Sequence, residues 1–377
     1  MINTERLLEE FKTLVSFDAE SFHEAQIKEY LKEKLTALGL TVTEDDAAEK
    51  LLSGAEGAGN LLAQLPGKEE GTPLLFSSHM DTVAPGQGKR AIVQADGRIT
   101  SDGSTVLGAD DAAGLAAILE ALTVIREQDL PHPDLEILFT AAEEPFCRGS
   151  SVFAFDRVRA RAAYVLDLTG QIGTAAVRAP SILSVEVRVT GRAAHAGFAP
   201  EAGINALSIA AGALSALPTG HVNDDTTVNF GVIEGGAGKN IVPAEIHILG
   251  EIRSLRHETA LAEAEKIRSV FCREAEKRGG TAEVTITEEI RAYAVSEDEY
   301  VVRRFDAALA SLGWGKAKLT TTYGGSDNNR FAAHGIRGIV MACAMENVHT
   351  VHEYTDVGSL SRCAELTLRL MTMEDER

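Results

Sequence analysis

Leu7, Leu8, Phe11, Leu14 and Val15 recur at the spacing of a helix with one buried face. Ile27, Tyr30, Leu31, Leu35 and Leu38 repeat that spacing up to Gly39, behind a Ser21-Phe22-His23-Glu24 stretch with the form of a capping box. Short apolar runs then take over at 60–65 and 74–78, the second followed at once by His79. The glycine-rich stretch 85–103 reads as hairpin and loop. Gly108-Ala109-Asp110-Asp111-Ala112-Ala113-Gly114 opens an Ala/Leu-rich helix to about Glu127, and apolar runs at 135–140 and 162–166 give two more strands. Strands alternating with helices predict a mostly parallel sheet covered on both faces.

Near Ala179 the period changes. Ile182, Leu183, Val185, Val187 and Val189 belong to an alternating strand over 181–190. A helix follows with Ile204, Leu207, Ala211, Leu214 and Leu217 on one face, then strands at 227–233 and 245–252, a long charged helix at 257–278 and a strand at 282–287. The order βαββαβ is that of a ferredoxin-like split unit. A helix at 298–312, strands near 319–323 and 338–343 and a terminal helix from Val357 then resume the first pattern. The expected organisation is a first domain at 1–178, an inserted domain at 179–291, and the first domain again at 292–377.

A length of 377 residues, 45% of them apolar, suffices for two domains with real cores. The net charge of −20 argues against nucleic acid or an anionic membrane as partner, since both select clustered Lys and Arg. No apolar run approaches the roughly 18 residues of a membrane span. The amino terminus opens a charged amphipathic helix with no signal-peptide core, and Cys147, Cys272, Cys343 and Cys363 form no close pair. These features predict a cytoplasmic chain with free thiols.

The chemistry gathers at the strand ends. His79 follows a strand, and Asp81, two residues on, can accept its second ring N–H and make it a better metal ligand. Asp110 precedes a helix, Glu143 and Glu144 follow a strand, Asp167 ends one, and His349 lies in a loop beyond another. Each has an ordinary structural reading alone: a solvated helix start for Glu143-Glu144, a helix cap for Asp110-Asp111. Strand ends of one parallel sheet share an edge, so these groups can converge. Two imidazoles among several carboxylates suit zinc, and the carboxylates exceed the needs of one tetrahedral ion, which points to two metals.

The motifs Ser78-His79-Met80-Asp81-Thr82, Gly108-Ala109-Asp110-Asp111, Glu143-Glu144, Asp167, Ala194-His195-Ala196-Gly197, the glycine-rich run from Gly235 through Asn240 to Pro243, Gly324-Gly325-Ser326-Asp327 and His349 occur in this order. In that order the chain resembles, nearly end to end, the peptidase T-like (tripeptidase) members of the two-zinc aminoacylase, dipeptidase and glutamate carboxypeptidase family. The resemblance implies an α/β zinc-exopeptidase catalytic domain with a ferredoxin-like insertion that serves as lid and dimerisation domain. It implies two zinc ions, or cobalt or manganese in their place, one held by His79 and Asp167, the other by Glu144 and His349, with Asp110 bridging. Asp81 would orient His79, Glu143 would be the general base, and His195 would steady the developing oxyanion. Asn240 and Arg253, with Gly324 and Gly325, would contact the substrate. A cis peptide between Asp110 and Asp111 is also implied. Ala112, where relatives often carry lysine, and Pro145-Phe146-Cys147-Arg148 depart from the family pattern.

The expected activity is hydrolysis of short peptides, as an aminopeptidase. In the family an aspartate at the position of Asp167 accompanies aminopeptidase and dipeptidase activity, and glutamate the carboxypeptidases and acylases. The alternatives are an amidase that deacylates N-acyl amino acids and a catalytically inactive binding protein on the same fold. A homodimer through the inserted domain is expected, because an open sheet edge invites pairing across a two-fold axis. In relatives this can bring His195 to the partner's site.

Overall fold

A computed structural model describes residues 1–375. The chain forms two compact units. One comprises Met1–Arg178, Ala294–Thr322 and the segment from Ser326 onward; the other comprises Ala179–Tyr293 and Tyr323–Gly325, three residues that sequence order would assign to the flanking segment. Among the described residues no helix is long and apolar enough to cross a membrane, and all four cysteines are free.

The first unit is built on one twisted sheet. At its centre Leu135–Thr140, Leu74–His79, Ala162–Leu168 and Arg337–Ala342 lie side by side in parallel. Leu74–His79 and Leu135–Thr140 are buried at every position, which is why they read as unbroken runs rather than alternations. The strands beside this centre run the other way, and Thr41–Glu44, beyond Leu61–Leu65, runs with the centre again. Leu61–Leu65 pairs antiparallel with Leu135–Thr140, Thr41–Glu44 antiparallel with Leu61–Leu65, and Thr174–Ala179 antiparallel with Arg337–Ala342. The parallel centre matters for function, because its carboxyl ends share one edge.

The helix Ala109–Gln128 packs against this sheet and against Thr4–Val15 and Val357–Thr372, and is buried on nearly all sides. Its alanines and Gly114 permit that approach: a Cβ on Gly114 would lie 2.7 Å from the Leu166 carbonyl and 2.9 Å from Ser78 Oγ. Asn3 caps the first helix by accepting the Arg6 N–H at 3.1 Å. The capping box expected at Ser21–Glu24 does not form. The second helix starts at Ala25 without a side-chain cap. Ser21 Oγ donates instead to Asp81 Oδ2 at 2.7 Å, and Glu24 Oε1 accepts from Phe22 N at 2.9 Å and Ala142 N at 3.0 Å. Tertiary acceptors and donors have outcompeted the local cap.

The second unit is a βαββαβ fold on an antiparallel sheet, ordered Thr226–Gly235, Glu245–Ser254, Ser181–Thr190, Thr281–Ile290, with the short strand Gly220–Asn223 added beside the first. Helices Ala206–Ser215 and His257–Lys277 contribute to its core with Ile209, Ala213, Ile267 and Phe271, packed with Val185, Val187 and Ile248 of the sheet. The open side shows as alternating burial along Ser181–Thr190.

Candidate active site

His79 occupies the last position of its strand, at the carboxyl edge of the sheet. Its Nδ1 donates to the Asp81 carbonyl at 2.9 Å and lies 3.3 Å from Asp81 Oδ1. That leaves Nε2 as the inward-facing nitrogen, 3.0 Å from Asp110 Oδ1. The other oxygen of Asp110 lies 3.3 Å from His349 Nε2, which is itself 3.0 Å from Glu144 Oε2. Two groups of donor atoms result, each mutually within 4.8 Å: His79, Asp110 and Asp167; and Asp110, Glu144 and His349. Asp110 belongs to both.

The local backbone serves these positions. The Asp110–Asp111 peptide is cis, and both residues depart from helical angles although they open a helix. Asp110 faces His79 and His349, while Asp111 faces back, accepting from Ser78 Oγ at 2.5 Å and from His79 N at 3.2 Å. Asp81, beyond orienting His79, accepts the Glu143 N–H at 2.9 Å and the Glu144 N–H at 3.2 Å. His349 sits at φ +61°, in the left-handed region.

Glu143 is buried beside the two groups but belongs to neither. Its Oε1 accepts the Cys147 thiol at 3.2 Å. Asp327 closes a third group with Glu143 and Cys147, yet both its oxygens are engaged, by Ser150 Oγ and Thr140 Oγ1, each at 2.5 Å.

Burial opposes ionisation of the acids. It pushes Glu143 and Asp167 well above the ordinary carboxylate range and Asp111 up to about 8. Asp110 moves the other way: burial raises it, but hydrogen bonds from His349 and His79 outweigh that and hold it low. Burial lowers His79, but Asp110 and Asp81 lift it well above its usual value, and Asp110 and Glu144 lift His349 to about 10.

Of the residues singled out in the sequence, His79, Asp81, Asp110, Glu143, Glu144, Asp167 and His349 all come together in the first unit. His195, Asn240, Arg253, Gly324 and Gly325 lie in the second. There, His195 and Ile241 form an antiparallel bridge that sets Asn240 beside the histidine segment, the Asn240 carbonyl accepting the Ala196 N–H at 3.0 Å. His195 Nδ1 accepts from Gly197 N and Phe198 N, both at 3.2 Å, and its ring stacks on Phe198. Arg253 is already engaged: Nε and Nη2 donate to Glu251 at 2.8 and 3.0 Å, and Nη1 to the Tyr323 carbonyl at 2.9 Å, next to Gly324-Gly325. Sequence reading missed the supporting residues Ser21, Glu24, Asp111, Asp327 and Glu353. Asp111 and Asp327 stood inside the motifs, Ser21 and Glu24 read only as a helix cap, and Glu353 carried no signal.

Residues 178–279 match the family described as Peptidase dimerisation domain (M20_dimer), and residues 60–216 match Peptidase family M28. The Bacillus subtilis protein YqjE is 40% identical over 98% of this chain and 99% of its own. The crystal structure of aminopeptidase PepT from Bacillus cereus superposes with a TM-score of 0.91 at 38% identity, covering 98% of each chain. That of a tripeptidase from Staphylococcus aureus gives 0.94 at 36% identity, covering 99% of this chain and 98% of that one. The chain belongs to the peptidase T-like branch of the M20 peptidases and is a metal-dependent hydrolase.

Proposed function

We propose that this peptidase removes the N-terminal residue of short peptides with a free α-amino group, tripeptides among them, using two divalent ions. The observation that carries the reading is the shared carboxylate: Asp110 faces His79 with one oxygen and His349 with the other. The donors fit such ions. Imidazole nitrogens and carboxylate oxygens are the ligand types zinc, cobalt and manganese accept, and Glu144 Oε1 is buried with no hydrogen-bond partner. His79, Asp110 and Asp167 would hold one ion, and Asp110, Glu144 and His349 the other. Two ions bound there would polarise a scissile carbonyl and acidify water.

The chain's own groups account for the proton movements. Glu143 stands outside both donor sets, so its carboxylate can take a proton from the attacking water and deliver it to the leaving amine nitrogen. His195 supports an oxyanion role: with Nδ1 accepting two backbone N–H groups, the ring proton lies on Nε2, which is then a donor. Asn240 offers an amide beside it for the peptide backbone. Arg253, held by Glu251, and the adjacent Gly324-Gly325 backbone complete the proposed substrate contacts.

A homodimer through the second unit is part of the reading. Thr226–Gly235 is paired by Gly220–Asn223 only at its first three residues, and Val232 and Ile233 on the rest of that edge are 41% and 52% exposed. The B. cereus and S. aureus relatives, an aminopeptidase and a tripeptidase by their own descriptions, favour the peptide substrate. The test is a panel of di- and tripeptides, unblocked and N-acetylated, with metal content measured alongside. Faster cleavage of the acetylated members would replace the aminopeptidase with an N-acyl amino acid amidase. Two bound ions with no hydrolysis would replace both with a binding protein.

A further inference from the structure

The loop carrying His349 is closed at its base, where Glu346 and Tyr354 exchange two backbone hydrogen bonds of 3.0 Å. Inside the loop Asn347 and His349 take left-handed φ angles of +54° and +61°, and Thr350 Oγ1 donates to the Asn347 carbonyl at 2.8 Å. The His349 side chain is 54% exposed, so packing fixes it only in part. Four residues on, Glu353 is 2% exposed and points at the turn that presents Asp110. Its Oε2 accepts the Gly108 N–H at 2.7 Å and its Oε1 the Asp110 N–H at 2.9 Å. One loop therefore meets Asp110 twice, through an imidazole on its carboxylate and through a buried carboxylate on its backbone.

We infer that Glu353 is a positioning residue for the ion held by Asp110, Glu144 and His349: it ties the backbone of the shared ligand to the loop of the third, and so sets the separation of the two donors. The inference rests on the two-ion reading. It makes a chemical demand that packing does not. Two N–H donors face Glu353, and each oxygen serves one of them. Glutamine has nearly the same size but one acceptor oxygen, and its NH2 would confront the second N–H. A space-filling role would tolerate E353Q; a positioning role would not.

The test titrates metal-stripped wild type, E353Q and E353A with Co2+ by calorimetry, follows the cobalt absorption bands, and melts the metal-free proteins. In E353Q one of the two binding steps should weaken by about 10–100-fold, the range for loss of a group that orients a ligand. The other step should weaken less, the cobalt bands should shift, and metal-free melting should fall by only a few degrees, the effect of one unsatisfied buried N–H on a chain of this size. If E353A fails to fold, E353Q carries the test. E353Q binding both ions as tightly as wild type, with unchanged bands, overturns the inference and leaves the two-ion reading standing. A wild-type chain that binds fewer than two ions overturns both.

Discussion

Replacing Asp81 by asparagine changes one side-chain atom and removes one acceptor. Oδ1 of Asp81 accepts the Glu143 N–H and lies within 3.3 Å of His79 Nδ1, while Oδ2 accepts Ser21 Oγ and, at 3.2 Å, the Glu144 N–H. Asparagine supplies a single oxygen. With that oxygen in the Oδ1 place, Glu143 and His79 keep their acceptor, and Ser21 can reverse its hydroxyl to accept from the new NH2. Only the Glu144 N–H is left facing a donor. The opposite orientation strands two donors and is disfavoured. One buried unsatisfied N–H costs about 1–3 kcal/mol, which as lost ion affinity is roughly 5- to 150-fold. The loss should fall on the Glu144–His349 ion, because His79 also retains the Asp81 backbone carbonyl at 2.9 Å. Calorimetric titration of metal-stripped D81N measures it. A second measurement places it: in an H349A background, where that donor set is already broken, D81N should change the remaining site little. D81N with wild-type affinity at both steps, or with the loss confined to the His79 ion, would refute this assignment of oxygens to partners.

E143Q should bind both ions normally, since Glu143 is in neither donor set, yet lose roughly 10²–10⁴-fold in turnover; steady-state kinetics beside metal analysis decides, and retained activity removes Glu143 from the base role. Gly108 stands at φ +76° with Lys89 Cε 2.9 Å from where a Cβ would be, whereas Gly88 at φ +72° has open space around it. G88A should therefore lose only the backbone part, about 1–2 kcal/mol, and G108A more, by urea unfolding; equal losses would show that Lys89 yields freely. Burial lowers Lys89 from 10.5 to about 8, its ammonium donating to the Phe17 and Gly86 carbonyls. Between those values the unfolded chain keeps a proton that the folded chain has released, so stability gains from this group as pH rises across that window, by up to about 3 kcal/mol. Urea unfolding of wild type and K89M over the same window should show that rise in wild type alone; parallel curves would refute it.

The second unit was legible because an antiparallel sheet with one covered face writes its pattern into the chain: Ser181–Thr190 alternates, and its helices carry one apolar stripe. Gly220–Asn223 left no such trace, being a short edge strand with mostly exposed residues. In the first unit most strands of the sheet were legible, though Thr41–Glu44 and Thr174–Ala179 were not, and the strand directions were not. Leu61–Leu65 runs antiparallel to its neighbour, but a strand buried on both faces reads as an apolar run whichever way it points. Ser21–Glu24 shows the converse failure, a local signal that was present and overruled, since its hydroxyl and carboxylate are drawn to Asp81 and Ala142.

The site divides along the same line. Groups that could meet an ion or substrate were legible because imidazoles and carboxylates at strand ends are unusual. Apart from Asp81, the groups that hold them were not, and the reason is physical. A side chain committed to a metal cannot also anchor itself to the protein through the same atoms, so the geometry must be fixed through its backbone. In this chain buried carboxylates do that: Asp81 accepts from Glu143 N and Glu144 N, Asp111 from His79 N, Glu353 from Gly108 N and Asp110 N, and Glu24 from Ala142 N. All four are at most 2% exposed. Backbone N–H groups carry no residue identity, so their acceptors can come from any distance along the chain, and Glu353 acts on residues some 245 positions earlier. Sequence spacing records which side chains a site uses; it does not record which carboxylate finds which amide once the strands have closed.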